Sequence, residues 1–327
     1  MLWTLLATLS LLFGTPTQAK ATVSAGGSPT HVASGTDTNY APDAVFNLSW
    51  GSTIVPLRVM AVFALPGEDV PIYVRSQVHG FQVAADGGVL SPRGENAWSW
   101  RAPFEPGLVP MRVTSPAGDQ VLLNVFVLVP YDRMKHGDLE GQEIGDYPAT
   151  MLGGKPEYAR PRGFIRMTKE LENAPVSPHF HLGQFACKDQ KRYPKFLVLQ
   201  PALLVKLEKL LDIAHQNGFQ ATTFHVMSAY RTPRYNKGIG NKTTYSRHQY
   251  GDAADIFLDE FPADGVMDDL NHDGRLTEAD AQVLRGWADS IDRDPASTLT
   301  GGLSAYGSTE SHGPFVHVDT RGSAARW

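Results

Sequence analysis

The sequence predicts two domains, an N-terminal all-β sandwich and a C-terminal α+β domain with a small antiparallel sheet. The chain has 327 residues, enough for two hydrophobic cores. Short apolar runs separated by turn residues fill residues 42–130, whereas apolar residues at helical spacing appear only after residue 200. This change of pattern along the chain is the main reason for expecting two different architectures.

Composition narrows the function classes before any motif is considered. Hydrophobic residues make up 42% of the chain and charged residues 19%, which is ordinary for a globular protein. The formal net charge is −5, so the excess of positive charge typical of nucleic-acid-binding domains is absent from the sequence. The single cysteine, Cys187, excludes a disulfide within the chain and a cysteine-rich zinc module. We expect Cys187 to be a small buried apolar side chain.

Residues 1–21 have the features of a secretory signal peptide. The apolar run over residues 2–13 is too short to span a bilayer comfortably, and small-residue cleavage sites follow at Ala19 and Ala21. No later segment is long and apolar enough to predict a transmembrane helix. We therefore expect an exported protein, periplasmic or extracellular, without a transmembrane helix after signal cleavage.

The β-domain, residues 42–130, is predicted from strands that alternate with glycine- and proline-containing turns. Turn signals occur at Pro66-Gly67, Asp86-Gly87-Gly88, Pro92-Arg93-Gly94, Pro106-Gly107 and Pro116-Ala117-Gly118. The predicted strands are 57–63, 70–74, 81–84, 97–101, 109–114 and 121–128. Strand number and spacing resemble an immunoglobulin-like sandwich, although the paired cysteines of that fold are missing.

Residues 131–176 are predicted to be an ordered connector that lies against both neighbouring domains, because they are rich in glycine, proline and charge. The C-terminal domain, 177–327, begins beyond it. Leucines at helical spacing predict a helix over 201–216 that ends at Asn217-Gly218, and a second amphipathic helix covers 284–291. Residues 221–228 and 315–319 are predicted strands.

Three residues of the C-terminal domain form a candidate metal site. His248 and Asp255 are separated by Gly251, which lets the chain turn sharply before a strand that contains Asp255. His317 lies on the strand 315–319, on the same face as Asp319. Imidazole nitrogen and carboxylate oxygen are zinc ligands, and catalytic zinc sites use three protein ligands with one open position.

The pattern Ser246-x-His248-x-x-Gly251-x-Ala253-x-Asp255, followed by a strand histidine near the C-terminus, resembles the zinc D-alanyl-D-alanine carboxypeptidase family. Relatives of that family include the vancomycin-resistance dipeptidases and murein endopeptidases. The segments 177–187 and 228–233 also resemble it, so the likeness covers about residues 176–327. It does not extend to the β-domain.

The resemblance implies a zinc metallopeptidase that hydrolyses peptide stems or crosslinks of peptidoglycan, with His248, Asp255 and His317 as zinc ligands. It places Arg231 near the substrate carboxylate or the developing oxyanion, which suits a guanidinium. The partner is a peptidoglycan peptide, and the β-domain is a candidate contact for an envelope protein.

One departure from the family concerns the general base. Many relatives have an acid three residues before the last ligand, where this chain has Pro314. His312 matches a histidine that some relatives place at the site, and the base or proton shuttle is His312, Glu310 or Asp319. Asp319 could instead orient the imidazole of His317. The alternative function is a catalytically inactive zinc-containing module that binds peptidoglycan or a protein.

Residues 269–280 match the loop of an EF-hand. The expected calcium ligands are side-chain oxygens of Asp269, Asn271, Asp273 and Asp280 and the backbone carbonyl of Arg275, with Gly274 at the turn. The preceding residues do not predict a full entering helix. We expect a half EF-hand-like loop in front of the helix 284–291, with a structural calcium ion.

Overall fold

The computed structural model describes residues 43–241 and 243–327. The predicted signal peptide, residues 1–21, and Pro42, the first residue of the predicted β-domain, lie outside this part of the chain. The described residues form a β-rich fold, with nineteen strands in five sheets and three α-helices. None of these helices has the length and apolar character needed to cross a membrane.

Residues 43–127 form nine strands. They are β1 (Asp43–Trp50), β2 (Thr53–Leu57), β3 (Val59–Ala64), β4 (Asp69–Arg75), β5 (Gln82–Ala85), β6 (Val89–Gly94), β7 (Ala97–Arg101), β8 (Gly107–Thr114) and β9 (Gln120–Val127). One sheet has the order β2-β1-β4-β7-β6 and is antiparallel throughout. The second has the order β3-β9-β8-β5, in which β3 and β9 run parallel.

The buried faces of these two sheets share an interior. Along β4 exposed and buried side chains alternate, and Val70, Ile72 and Val74 point inwards. The Trp50 indole of the first sheet donates a hydrogen bond to the carbonyl oxygen of Phe63 in the second sheet, at 3.2 Å. The alternation of apolar residues that predicted these strands therefore reflects burial of one face of each sheet.

The predicted strand 57–63 corresponds to β3, and only its first residue, Leu57, belongs to the preceding strand β2. β2 ends at Leu57 and β3 begins at Val59, and the exposed Arg58 lies at the bend between them. The chain passes here from the first sheet to the second, and the carbonyl oxygen of Arg58 accepts a hydrogen bond from the Leu122 amide at 2.8 Å. Apolar residues on both sides of Arg58 do not reveal such a change of sheet, because both strands need apolar side chains.

Strands β1 and β6 were also not predicted from the sequence. β1 precedes the first predicted strand, and β6 contains Pro92 and Gly94, which were interpreted as a turn. β6 lies at the edge of its sheet and pairs with β7 through an irregular register between Pro92 and Gly94. An edge strand with a bulge tolerates proline, because its amide need not donate to a neighbouring strand.

The connector, residues 131–176, contains short strands that pair with elements on either side of it in the chain. β10 (Val129–Pro130) comes just before the connector, which contains β11 (Asp138–Leu139), β12 (Gln142–Glu143) and β13 (Gly163–Met167). β13 pairs with β10 on one side and with β14 (Lys195–Leu197) on the other, in a three-stranded sheet. At its end, the carbonyl oxygen of Val176 accepts a hydrogen bond from Ala61 of β3 at 2.7 Å.

The C-terminal part has three helices and a five-stranded sheet. The elements after β14 are α1 (Pro201–Gln216), β15 (His225–Ser228), α2 (Pro233–Gly238), β16 (Ala253–Phe257), α3 (Glu278–Arg293), β17 (Gly302–Tyr306), β18 (Phe315–Asp319) and β19 (Ala325–Arg326). The sheet order is β15-β16-β18-β17-β19, antiparallel except for the pair β17 and β19.

α1 has the bounds that its leucine pattern predicts. Pro201 occupies its first turn, and the chain leaves the helix at Asn217, followed by Gly218 with φ +96°. Lys206 of α1 is fully buried, and its Nζ donates to Asp292 of α3 at 2.6 Å and to the carbonyl oxygen of Asp319 at 2.9 Å. Through Lys206, α1 is therefore hydrogen-bonded to both α3 and the end of β18, the strand that contains His317.

Candidate metal centre

Local structure brings His248, Asp255 and His317 together. His248 lies in a 3-10 turn, Arg247–Tyr250, whereas Asp255 and His317 face each other across the antiparallel pair β16 and β18. Gly251 ends the turn with φ +73°, and a Cβ there would lie 2.3 Å from the carbonyl oxygen of Val198. Only glycine fits this position, so the glycine of the sequence pattern has a steric reason.

The three side chains form a buried group that can hold a metal ion. His248 Nε2 lies 3.2 Å from His317 Nδ1 and 3.3 Å from Asp255 Oδ1, and His317 Nδ1 lies 3.0 Å from Asp255 Oδ1. Ligand atoms about 2.0–2.1 Å from a tetrahedral metal ion are about 3.3 Å apart. The three separations therefore fit a shared ion, and the donor set of two imidazoles and one carboxylate is typical of zinc.

Both imidazoles are oriented by a second hydrogen bond. His248 Nδ1 donates a hydrogen bond to the carbonyl oxygen of Ala229 at 2.7 Å. The unprotonated Nε2 then faces Asp255 and His317 with a lone pair that can bind a metal ion. His317 Nε2 contacts Asp319 Oδ2 at 3.1 Å, which leaves Nδ1 for the same purpose. Such partners fix the tautomer and ring orientation of metal-binding histidines.

The charges of the group shift its pKa values strongly. Burial lowers the pKa of His317, but hydrogen bonds to Asp255 and Asp319 outweigh it and raise the pKa to about 9. Burial likewise lowers the pKa of His248, and the nearby Asp255 only partly compensates. Burial raises the pKa of Asp255, yet the charges and hydrogen bonds of the two histidines hold it well below the usual value. Asp255 is therefore a carboxylate at neutral pH.

Asp319 lies behind His317 and is fully buried. Besides His317, its carboxylate accepts hydrogen bonds from the Gly302 amide at 2.7 Å and from Arg321 Nε at 2.9 Å. Burial raises the pKa of Asp319, but the hydrogen bonds from His317 and Arg321 outweigh it, and the net pKa lies below the usual value. These contacts favour the orienting role for Asp319 over that of a general base.

Arg231 is held directly beside the group. Its Nη2 donates to Asp255 Oδ2, its Nε donates to Ser228 Oγ at 2.8 Å, and its backbone amide donates to the carbonyl oxygen of His248 at 3.1 Å. The structure thus brings this sequence-predicted residue to the three candidate ligands.

His312 is less directly connected to the candidate ligands. Its Nδ1 donates to the carbonyl oxygen of Gly313 at 2.8 Å, and its ring packs edge-on against Phe315 at 4.9 Å. Phe315 lines the cleft beside the ligands, but His312 itself is not among the described lining residues. Glu310, the other candidate base, is exposed on the same loop.

A cleft of about 600 Å³ opens over the three ligands, and the connector contributes to its wall. The lining is rich in arginine and aromatic residues. Besides His248, Asp255 and His317, the lining residues are Leu152, Tyr158, Arg231, Asn241, Thr243, Tyr245, Ser246, Arg247, Tyr306, Phe315, Arg321 and Trp327. Asp255 is the only carboxylate among these described residues, so the cleft wall contains no second acid in the described part of the chain.

Several of these lining residues were not predicted from the sequence. Arg321 follows Asp319 by two positions, and extending the strand periodicity beyond β18 would have placed it near the site. Tyr158 and Trp327 have no such local signal. Trp327 packs against the His317 ring at 5.3 Å and donates to the Tyr306 hydroxyl at 2.8 Å, contacts that arise only from the tertiary fold.

Cys187 is 1% exposed, and burial raises the pKa of its thiol to about 11. Its sulfur accepts a hydrogen bond from the Thr232 amide at 3.4 Å. The interpretation of Cys187 as a buried structural residue is confirmed.

The loop 269–280 has the expected turn but not the expected convergence of carboxylates. Asp269 accepts hydrogen bonds from the amides of Asp273 at 3.1 Å and Gly274 at 2.7 Å, and Gly274 has φ +78°. Asp280 is fully buried and accepts hydrogen bonds from the amides of Leu270 and Thr277 at 2.9 and 2.8 Å.

Among the described residues, only His248, Asp255 and His317 bring three histidine, cysteine or carboxylate ligand atoms within 4.8 Å of one another. In the loop 269–280, backbone N–H groups donate hydrogen bonds to the carboxylates of Asp269, Asp273 and Asp280. The Asn271 side chain accepts from the Asp273 amide, and the Arg275 amide donates to Asp273. Hydrogen bonding within the loop and capping of α3 thus involve the same carboxylates that were predicted to bind calcium.

Comparison with known proteins adds no relatives: no family model matches the chain, and neither a curated protein nor a solved structure matches it.

Proposed function

We propose that this chain is an exported zinc metallopeptidase that hydrolyses peptide stems or crosslinks of peptidoglycan, as an endopeptidase or a D,D-carboxypeptidase. The observation that carries the proposal is the buried His248–Asp255–His317 group, with ligand separations that suit one ion and a cleft above it. A zinc ion held there would supply Lewis-acid activation of a water molecule and of the scissile carbonyl.

The residues around the ligands have supporting roles in this proposal. Arg231, held by Asp255 and Ser228, presents a guanidinium at the cleft wall, where it can bind a substrate carboxylate or stabilise a developing oxyanion. Asp319 keeps the His317 ring oriented and its Nδ1 directed at the ligand group. His312 is the remaining candidate for proton transfer, and it would act from the loop that precedes Phe315.

The described cleft wall favours a second candidate function as well. Because Asp255 is its only carboxylate, the site lacks the acid that usually serves as general base in zinc peptidases. A module that binds peptidoglycan or an envelope protein, with a structural zinc ion and no hydrolysis, has the same ligand group and needs no base.

The N-terminal sheets suit a recruiting role in either case. We propose that they form an immunoglobulin-like sandwich that positions the metal-binding part on the wall or on an envelope protein. The supporting observations are the two sheets with a shared buried interior. Export by the signal peptide at residues 1–21 would place the protein in the periplasm or outside the cell.

The test is digestion of purified peptidoglycan by the mature protein with zinc, read by mass spectrometry. The matched variants are His248→Ala, which removes a proposed ligand, and His225→Ala, which removes an exposed histidine stacked on Phe257. We expect new stem-peptide fragments from the unaltered protein and from His225→Ala, but none from His248→Ala.

Fragment masses would identify the bond that is cut. No fragments from a protein with one bound zinc ion would reject the peptidase. Sedimentation of that protein with insoluble peptidoglycan would then support the binding module, and its failure to sediment would reject that function too.

A further inference from the structure

The metal cleft has an aromatic wall that neither the candidate ligands nor Arg231 accounts for. Trp327 is 56% exposed and Tyr306 is 36% exposed, and both line the cleft. Two large aromatic rings that are partly exposed side by side in a cavity are typical of a surface that contacts a ligand. Packing in the protein core does not explain why these two rings lie here.

The Trp327 indole is held in place by several contacts. Its Nε1 donates a hydrogen bond to the Tyr306 hydroxyl at 2.8 Å, and its ring lies 5.3 Å from the His317 ring. The Arg321 guanidinium lies 5.4 Å from the centre of the indole. The Ser304 hydroxyl donates to the backbone carbonyl oxygen of Trp327 at 2.7 Å. Because the ring is fixed beside a candidate metal ligand, a substrate does not have to immobilise it on binding.

Tyr306 adds a hydrogen-bond donor to the same wall. Its ring stacks on that of Phe315, with the centroids 4.6 Å apart and the planes inclined by 13°. Its oxygen accepts the indole proton of Trp327, which leaves the phenolic proton for another acceptor. A hydroxyl that accepts one hydrogen bond becomes a stronger donor in a second. The wall therefore presents a flat apolar face with an O–H donor at its edge.

Charge does not determine what this wall binds. Arg321 is the charged residue closest to the indole, and its Nε donates to both carboxylate oxygens of Asp319, at 2.9 and 3.0 Å. Its charge is therefore paired within the protein. A neutral, planar group with an acceptor at its edge suits such a surface. A peptide unit has this form, because it is planar and its carbonyl oxygen is a strong acceptor.

The position of the wall in the sheet indicates which part of a peptide it contacts. The strand order is β15-β16-β18-β17-β19, and β16 and β18 contain two of the candidate ligands. Arg231 is bonded to the last residue of β15, whereas Tyr306 ends β17 and Trp327 follows β19. The candidate metal position therefore lies between Arg231 and the wall. A peptide whose C-terminal carboxylate is bound by Arg231 extends over this position towards the wall.

We propose that Tyr306 and Trp327 bind the peptide unit on the N-terminal side of the scissile bond. The peptide plane lies on the indole of Trp327, and its carbonyl oxygen accepts a hydrogen bond from the Tyr306 hydroxyl. This inference rests on the proposed peptidase function and on Arg231 as the group that binds the substrate carboxylate. A substrate then uses the wall only if it has a further peptide unit before the scissile bond.

Two peptides of different length isolate this contact. D-alanyl-D-alanine contains the scissile peptide bond alone, whereas N-acetyl-L-alanyl-D-alanyl-D-alanine has additional amide units on its N-terminal side. Both have the same C-terminal carboxylate. With zinc-bound protein, the measurement is kcat/KM if the peptides are cleaved and Kd by calorimetry if they are not. We expect the unaltered protein to prefer the longer peptide.

The variants change one part of the wall at a time. Trp327→Ala should weaken kcat/KM or Kd for the longer peptide about 10-fold and Tyr306→Phe about 5-fold, with less than about 2-fold effect on the dipeptide. Trp327→Phe retains a ring and should have an intermediate effect. Phe261→Ala removes an exposed aromatic ring outside the cleft lining, and Tyr73→Phe removes a hydroxyl on β4. Both controls should leave the two peptides unaffected, and one bound zinc ion per variant would show that the metal centre is intact.

Equal losses for the two peptides would overturn the proposal, because the wall would then act through the metal centre. A longer peptide that is neither bound nor cleaved, or that both wall variants treat as the unaltered protein does, would also overturn it. Length-dependent losses without cleavage of peptide or peptidoglycan would reject the peptidase and retain this contact. Digestion of peptidoglycan without length-dependent losses would retain the peptidase and reject the contact.

Discussion

At the scale of single residues, the candidate metal centre depends on groups that supply no ligand atom. The Ala229 carbonyl oxygen and the Asp319 carboxylate each hold one imidazole, at 2.7 and 3.1 Å, and thereby direct one nitrogen of each ring to the shared position. Asp319 is in turn held by Arg321 and the Gly302 amide. Orientation of His317 is thus built into the fold before any ion arrives.

Replacing Asp319 tests that orientation. We expect Asp319→Asn to weaken zinc binding about 10- to 100-fold, because the neutral amide holds the His317 ring less firmly. The measurement is competition for zinc with a chelating indicator. Asp289→Asn, which also disrupts an arginine–aspartate pair but at α3 and β19, is the matched control and should bind zinc normally. Equal zinc affinity of Asp319→Asn and the unaltered protein would contradict this role.

The protonation of His317 predicts how pH affects the metal-free protein. Burial lowers its pKa, but Asp255 and Asp319 outweigh this and raise it to about 9, above the value of about 6.5 for an unfolded chain. The stability that protonated His317 contributes is therefore complete below about pH 6.5 and is lost as the pH rises through about 9. Metal binding requires the neutral ring, so zinc affinity should increase over the same interval.

Melting of the metal-free protein between pH 6.5 and 9 measures this effect. We expect the Tm to fall over that range, and to fall less in His317→Gln, which has no proton to lose. Zinc titrations at the same pH values should show tighter binding at the alkaline end. A Tm that is equally independent of pH in both proteins would refute the assignment of a raised pKa to His317.

At the scale of elements, the turn between His248 and β16 is fixed by its contact with the segment before α1. The Gln200 amide donates to the Gly251 carbonyl oxygen at 2.9 Å, and a Cβ on Gly251 would collide with the Val198 backbone. Gly322 has a similar positive φ, +81°, but nothing within 4 Å of its Cβ position. Comparing substitutions at the two glycines therefore distinguishes the cost of a steric collision from the cost of a left-handed backbone conformation.

Replacing each glycine with alanine measures the two effects. Gly322→Ala should lower the free energy of unfolding by about 1–2 kcal/mol, the cost of a left-handed conformation. Gly251→Ala should cost at least about 2 kcal/mol more, because the backbone of residues 198–199 must move, and it should weaken zinc binding. Denaturant unfolding and zinc titration provide the two readouts. Equal destabilisation by both variants would mean that the Val198 contact is relaxed at little cost.

The loop 269–280 is the element for which sequence and structure differ most. Asp280 supports the loop and caps α3, so calcium would share its carboxylate with backbone N–H groups. Calcium binding by Asp269, Asn271, Asp273 and Asp280 remains a prediction, with weak affinity as its consequence.

We expect millimolar calcium, but not micromolar calcium, to raise the Tm of the zinc-bound protein. Asp273→Asn should abolish that rise, because it removes a carboxylate that the loop needs for the ion. Glu310→Gln, which removes an exposed acid on another loop, should retain it. An unchanged Tm at millimolar calcium in the unaltered protein would exclude a structural calcium ion here.

At the scale of the whole molecule, the connector is part of the metal-binding structure. The Tyr147 hydroxyl contacts the Tyr230 hydroxyl at 2.9 Å and donates to the Gln249 carbonyl oxygen at 2.9 Å, next to His248. The Arg234 amide donates to the Ile144 carbonyl oxygen at 3.0 Å, and Arg247 Nη1 donates to the Glu157 carbonyl oxygen at 2.8 Å. The turn that carries His248 is thus supported by residues that precede the predicted domain boundary at 177.

Two fragments test the contribution of the connector. The fragment 131–327 retains Tyr147 and β13, and we expect it to bind one zinc ion. The fragment 177–327 lacks both and should bind zinc at least about 10-fold more weakly, because its metal-binding turn has lost buried hydrogen bonds. Zinc titration and circular dichroism of both fragments decide this. Equal zinc affinity and equal melting would show that the connector is dispensable.

Local sequence patterns were sufficient to predict several elements of this protein. His248, Asp255 and His317 were candidate ligands by residue type and by a family resemblance, and the fold brings them together. The leucine spacing predicted α1 with its observed bounds, and the alternation over 315–319 predicted β18. These features were predictable because each depends on neighbours within one helix, strand or turn. The change of sheet at Arg58 was not predictable, because β2 and β3 both bury apolar side chains.

Only the tertiary structure decided what surrounds the candidate ligands. It brought Tyr158 of the connector and Trp327 to the cleft, and left the Tyr250 hydroxyl without a partner in the described residues. It also assigned the Asp280 carboxylate to backbone N–H groups of its own loop. These contacts join residues far apart in the chain or depend on competition for one carboxylate, and neither leaves a periodic signal in the sequence.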